Sequence, residues 1–227
     1  MLGIIRSLRR RLRKSKGYTL VELAAVTAIA AGLTAVVLPI AQQQISEAKK
    51  TQAIEEAKQL ATAVMRFWSD TGSLPNDWDA DGDGFETSEY GAVTVLYTGT
   101  GSSNELPAED SGLTNKWISG TNKASIANYL LTNIPGASNT PGYTNWNGPY
   151  LGTAKEKVAL DPWGHCYLIN VQPADSISTL GDDPATVSYA IFVISAGPDG
   201  IIQTNRLQAV NLFSVASGSD DIVVRIR

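Results

Sequence analysis

Residues Leu23–Ala41 form a run of nineteen residues without a single charged side chain. A helix rising 1.5 Å per residue carries such a run across about 28 Å, close to the hydrocarbon thickness of a bilayer. The sixteen residues at the start of the chain hold Arg6, Arg9, Arg10, Arg11, Arg13, Lys14 and Lys16 and no acid, the usual cytoplasmic flank of a membrane segment. Between the two stands one carboxylate, Glu22. An ionisable group at the lip of an apolar span is costly unless it has a partner, so it marks a functional contact; the bland alternative is a glutamate resting at headgroup level.

The run is longer than the apolar stretch of a secretory signal, and no small-residue cleavage site follows it. It reads as a retained single-pass membrane helix with its N-terminus inside. The leader carries seven positive charges, so the overall −4 leaves −11 on residues 17–227. That acidic remainder argues against nucleic-acid binding, which calls for clustered Lys and Arg. Cys166 is the only cysteine and His165 the only histidine. No disulfide can form within the chain, and a metal or an assembly would have to take its place. Neighbours on a strand point to opposite faces, so His165 and Cys166 do not read as a base–nucleophile pair, and the chain reads as a non-enzyme.

From Gln42 to Ser69 there is neither Gly nor Pro. Ala57, Leu60, Ala61, Val64 and Trp68 recur on one helical face, which predicts a helix continuous with the anchor, Tyr18 to Ser69, about 78 Å long. Pro39 falls inside it, where a proline kinks or breaks a helix. Asp70-Thr71-Gly72-Ser73-Leu74-Pro75 ends it. Beyond lie a loop-rich stretch, 73–145, with a strand expected over Ala92–Tyr97 and a short helix over Lys123–Leu131, and then a strand-rich region, 146–227, with a strand over Val187–Ile194.

Asp79, Asp81, Asp83, Gly84 and Phe85 follow the first half of an EF-hand calcium loop, with Phe85 at the backbone-ligand position. The closing glutamate is out of step: Glu89 comes one residue early. Calcium and a plain acidic turn both remain open here.

The segment Lys16-Gly17-Tyr18-Thr19-Leu20-Val21-Glu22, followed by the uncharged run, resembles the class III signal of type IV pilins and type II secretion pseudopilins. Further on, Gly148-Pro149-Tyr150-Leu151 ahead of Asp161-Pro162-Trp163-Gly164 resembles the major pseudopilin subgroup. The resemblance covers roughly 16–75 and 146–222. It implies that a prepilin peptidase cuts between Gly17 and Tyr18 and N-methylates Tyr18, so 1–17 is a leader, 18–41 the transmembrane and assembly helix, and 42–72 its amphipathic half. Tyr18 departs from the family's usual Phe. Glu22 falls where the family's glutamate pairs with the N-terminal amine of a neighbouring subunit, and Pro39 where related pilins have a proline beside a segment that melts in the filament. The implied fold is α+β: a long N-terminal helix packed on a small antiparallel sheet, pilin-like.

The resemblance also implies a calcium site in the C-terminal loop, carried over to the backbone of Ala196 and to Asp199, with Asp220 or Asp221 closing it; the 205–214 insertion makes this loop longer than the family's. Two or three carboxylates with carbonyls would meet the six to eight oxygens that calcium prefers. The implied function is a filament subunit, a major pseudopilin that polymerises from the bacterial inner membrane to drive protein export, with its globular part periplasmic or extracellular. Partners would be sister subunits along the N-terminal helices, the peptidase, the inner-membrane platform with its ATPase, and minor pilins or pseudopilins. The rivals are a surface pilus subunit for adhesion, motility or DNA uptake, and a membrane-anchored binding module or enzyme.

Overall fold

The N-terminal helix begins where its first turn can be capped and ends where the sequence turns to breakers. In the computed structural model, which describes residues 17–76, 93–134, 142–152, 160–172, 190–208 and 212–226, helix α1 runs Leu20–Thr71, two residues later at each end than periodicity suggests. Thr19 precedes it as the cap. Helix and Pro39 coexist: the proline lies inside α1, where it removes the donor that would close on Ala35. The described residues fall into two units that part between Ser46 and Glu47, and α1 contributes to both.

In the second unit α1 supplies one wall of a core. Ala53, Ala57, Leu60, Ala61, Ala63, Val64 and Phe67 are buried, close to the face the spacing predicts; Trp68, expected there too, is only half-buried. They pack on a five-stranded sheet built from β1 (Val95–Tyr97), β3 (Lys123–Ser125), β4 (Leu168–Asn170), β5 (Phe192–Ser195) and β7 (Ile222–Arg225), in the spatial order β3-β1-β4-β5-β7. β4 pairs antiparallel with β1 and β5, and β7 antiparallel with β5, but β1 and β3 run parallel. The sheet is therefore mixed, which corrects the expectation of an antiparallel one. The cause lies in Lys123–Leu131. Its first three residues join the sheet as β3, and only Ile126–Leu130 form the helix α2, capped by Ser125 Oγ accepting from the Ala127 N–H. A parallel neighbour has no local sequence signature, because the connection between its strands is long.

Strand alternation sends side chains to two cores. Leu96, Ile169 and Val193, which face one another across the ladder, lie against α1 with Phe67, Tyr129, Tyr143 and Tyr167. Val95, Leu168, Phe192 and Ile194 face the other way, onto Trp117, Leu113 and Ile202. Trp117 is fully buried, donates from Nε1 to the Thr204 carbonyl at 2.8 Å and stands edge-on to Phe192, with ring centroids 5.1 Å apart. Truncating an aromatic so enclosed costs about 3–5 kcal/mol.

A two-stranded parallel ribbon, β2 (Ala108–Glu109) with β6 (Ile201–Ile202), covers this second core. Between β5 and β6 the chain makes one 3-10 turn, Gly197–Asp199.

Candidate functional site

Two places carry the residues singled out by the sequence, one in each unit. In the first, the leading half of α1 is apolar on all sides and exposed. Leu23, Val26, Ile29, Leu33, Val36 and Val37 each show more than half of their surface. A helix apolar all round belongs in a protein core or a bilayer, and α1 is long and apolar enough to cross a membrane. Its hydroxyls are satisfied internally: Thr27 donates to the Ala24 carbonyl and Thr34 to the Ala30 carbonyl, as residues facing hydrocarbon must be.

At its N-terminal end Thr19 and Glu22 form a reciprocal capping box. The Thr19 N–H and Oγ–H both donate to Glu22 Oε2 at 2.9 Å, and the Glu22 N–H donates to Thr19 Oγ at 3.2 Å. Threonine followed three residues later by glutamate is the sequence signal for this motif, so Thr19 was legible and escaped the sequence reading. The carboxylate retains acceptor capacity beyond these two donors. Tyr18 is exposed beside it.

The second place lies where β5 leaves the sheet. Ser195 ends β5, buried, and its Oγ donates to Asp161 Oδ2 at 2.7 Å while accepting from the Gly197 N–H at 3.2 Å. Asp161 Oδ1 accepts from the backbone of Trp163 and His165. The Asp-Pro-Trp-Gly segment is thus a turn folded around a buried carboxylate that pins the start of the Gly197–Asp199 turn. Trp163 is half-buried and belongs to neither core; Asp161 does the anchoring.

Around that turn the candidate ligands gather. The Asp199 N–H donates to Asp220 Oδ2 at 3.1 Å. Asp199 Oδ2 accepts from Gln203 Nε2 at 3.0 Å, and Oδ1 from the Ile201 N–H. Asp221 Oδ2 accepts from the N–H groups of Gln203 and Thr204 at 3.1 and 2.8 Å. Ala196 is buried and immediately precedes the turn. So Ala196, Asp199, Asp220 and Asp221 are brought into one neighbourhood by hydrogen bonds across 196–203 and 219–221. Burial pushes the Asp221 carboxyl up, Asp220 beside it adds to the rise, and hydrogen bonds from Thr204 and Gln203 oppose it. Among the described residues no Lys or Arg forms an ion pair with these three aspartates.

Four oxygens of this patch are buried without a hydrogen-bond partner among the described residues: Gln203 Oε1, Ser219 Oγ, Asp220 Oδ1 and Asp221 Oδ1. Native proteins rarely leave buried acceptors so. Carboxylate, amide and hydroxyl oxygens are the donor types that hard cations take. No group of three or more His, Cys, Asp or Glu side chains among the described residues could hold a metal ion, Asp199, Asp220 and Asp221 included. Neither Gln203 nor Ser219 had a signal in the sequence, since both are ordinary loop residues. The other candidate loop, with Asp79, Asp81, Asp83, Phe85 and Glu89, lies outside the described residues, as does the leader before Gly17.

Cys166 and His165 precede β4. Cys166 is buried in the second core, and burial first of all pushes its thiol up to about 11. The His165 Nδ1 stands 4.0 Å from Asp161 Oδ1.

Comparison with protein-family models, curated proteins and solved structures finds no match to this chain.

Proposed function

We propose that this chain is the structural subunit of a type IV pilin-like filament, a major pseudopilin of a type II secretion-like system. The single observation that carries the reading is the start of α1: a glycine, an exposed Tyr18, a capped Glu22, and then a charge-free helix surface that is exposed among the described residues of the first unit. Cutting after Gly17 creates an amine on Tyr18. In a filament that amine meets Glu22 of the adjacent subunit, so each subunit neutralises its own charge and its neighbour's together. Removing one member of such a desolvated pair costs about 3–5 kcal/mol, enough to make assembly depend on processing. Packing α1 against sister helices keeps its apolar surface out of water once the subunit leaves the bilayer.

The second unit would be the part displayed on the filament surface, and a cation at Asp199, Asp220 and Asp221 would tie β7 to the turn after β5. With no second cysteine to close this region by a disulfide, the cation would take that structural role. This favours the secretion pseudopilin over a surface pilus subunit.

Mass spectrometry of the N-terminus, with electron microscopy of the native material, tests the reading. The expected result is a chain starting at N-methylated Tyr18 in helical filaments. A mature chain starting elsewhere, or a protein that stays monomeric in the membrane, refutes it.

A further inference from the structure

We propose that Asn147-Gly148 is a self-modifying site, at which the native chain converts Asn147 to isoaspartate and so loosens the loop that clasps the end of α1. The backbone nitrogen of Gly148 attacks Asn147 Cγ. The carboxamide C–N bond breaks, ammonia leaves with the proton that the nitrogen gives up, and a five-membered succinimide remains. Water then adds to one of its two carbonyls and opens the ring to aspartate or isoaspartate. Water is the only co-reactant, and no electrons change hands.

This is the only Asn-Gly step in the chain. The attack needs a free carboxamide and an unblocked neighbouring nitrogen. Asn147 is exposed and lies outside any helix or strand. Among the described residues neither its side chain nor the Gly148 N–H makes a hydrogen bond. Packing also fixes the glycine. A Cβ on Gly148 would run into the indole of Trp146, which is pinned by its Nε1–H donating to the Tyr129 carbonyl at 2.7 Å and by standing edge-on to Tyr150. A residue without a side chain leaves its nitrogen unshielded, so the contact that selects Gly148 also selects the reactive step. Asp199-Gly200 provides the contrast. Asp199 Oδ1 accepts from the Ile201 N–H at 2.8 Å and Oδ2 from Gln203 Nε2 at 3.0 Å, while the Gly200 N–H donates to the Gly197 carbonyl at 3.3 Å. There the fold engages both reacting groups.

What the conversion alters is the clasp. The Asn147 N–H donates to Tyr150 Oη at 2.9 Å, and Tyr150 Oη donates to Asp70 Oδ2 at 3.0 Å, in the last turn of α1. Tyr150 also stands edge-on to Phe67 of α1, with ring centroids 5.8 Å apart. Isoaspartate carries the main chain through the former side-chain carbon, so an extra methylene enters between the Asn147 N–H and Tyr150. A hydrogen bond weakens steeply when its distance and angle are disturbed. The product also adds a negative charge to the loop that Tyr150 ties to Asp70.

The test ages the full chain in detergent, in warm and mildly alkaline buffer, and follows it by peptide mapping with an isoaspartyl methyltransferase labelling the product. Native wild type is compared with urea-unfolded wild type and with Asn147→Gln, whose ring closure is six-membered and far slower and whose exposed side chain disturbs no contact. The expected result is isoaspartate at 147 in the native chain, formed within about tenfold of the unfolded rate, with Asp199-Gly200 changing only in the unfolded chain. Aged wild type should melt below fresh wild type, while Asn147→Gln keeps its melting temperature. A native rate more than about tenfold below the unfolded one, or product spread evenly over Asn133, Asn145 and Asn147, overturns the site. Converted chain that melts with the fresh material overturns the loosening of the clasp.

Discussion

Replacing Gly197 with alanine tests how tightly the turn after β5 is held against the strand that closes the sheet. Gly197 has φ +68°, a region in which an L residue is disfavoured by roughly 1–2 kcal/mol. A Cβ there would also stand 2.4 Å from the Asp220 carbonyl oxygen and 3.2 Å from its Cγ. That neighbour is backbone, two residues before β7, whose Ile222 pairs with Ser195 of β5. Ser195 is in turn fixed by Asp161. The clash cannot be relieved by a rotamer change, and crowding of this kind adds about 1–3 kcal/mol. Gly218 provides the control: it has φ +80° but nothing within 4 Å of its Cβ position, so Gly218→Ala carries the conformational cost alone. For a chain of this size about 1 kcal/mol moves the melting temperature by roughly 2–4 °C. Gly197→Ala should therefore melt roughly 2–12 °C below Gly218→Ala, followed by circular dichroism of the full chain in detergent and in excess calcium. If the two variants melt together, the close approach of Gly197 to Asp220 is not a constraint, and the turn after β5 is not held against the strand that closes the sheet.

Four further outcomes are expected. Glu22→Ala should leave cleavage after Gly17 intact and abolish filaments by electron microscopy; normal filaments would sink the pairing role of Glu22. Chelation should lower the melting temperature of wild type, and an unchanged value would speak against calcium at either candidate loop. Glu109 is pushed up by burial, but hydrogen bonds from the backbone of Trp117, Ile118 and Ser119 and from Ser119 Oγ together bring it below the ordinary glutamate value. Its contribution is therefore complete above about pH 4.3 and is lost as pH falls through the lowered folded value. Glu109→Gln should cost about 1–2 kcal/mol at pH 7, discounted for its partial exposure, with the gap to wild type closing in acid; a pH-independent gap in urea titrations would contradict this. Cys166, with its thiol pushed up to about 11, should resist alkylation at pH 8 in the native state and react once denaturant is added; rapid native labelling would place it outside the core.

Legibility followed the range of the interaction. α1 could be read almost to the residue, since an uncharged run, a period of 3.6 and a Gly-Ser-Leu-Pro stop are local signals. Of the strand expected over Ala92–Tyr97, the described residues 93–97 hold Val95–Tyr97, and of that over Val187–Ile194, the described residues 190–194 hold Phe192–Ile194, with Ser195 added, because strand ends depend on which neighbours offer hydrogen bonds. Lys123–Ser125 were expected in a helix and became β3 for the same reason. In the C-terminal loop the aspartates could be named from the sequence, but no local signal marks Asp161 as the buried anchor of Ser195.

What the sequence by itself determined is the first unit: charge and hydropathy alone require a basic flank, an apolar helix and one carboxylate that needs a partner, whatever the rest of the chain does. What only the tertiary structure decided is the second. The parallel β1–β3 pair and the junction of 196–203 with 219–221 depend on segments far apart in the chain. Gln203 joins Asp199 and Asp221, and Asp199 joins Asp220, only because folding brings the two segments together.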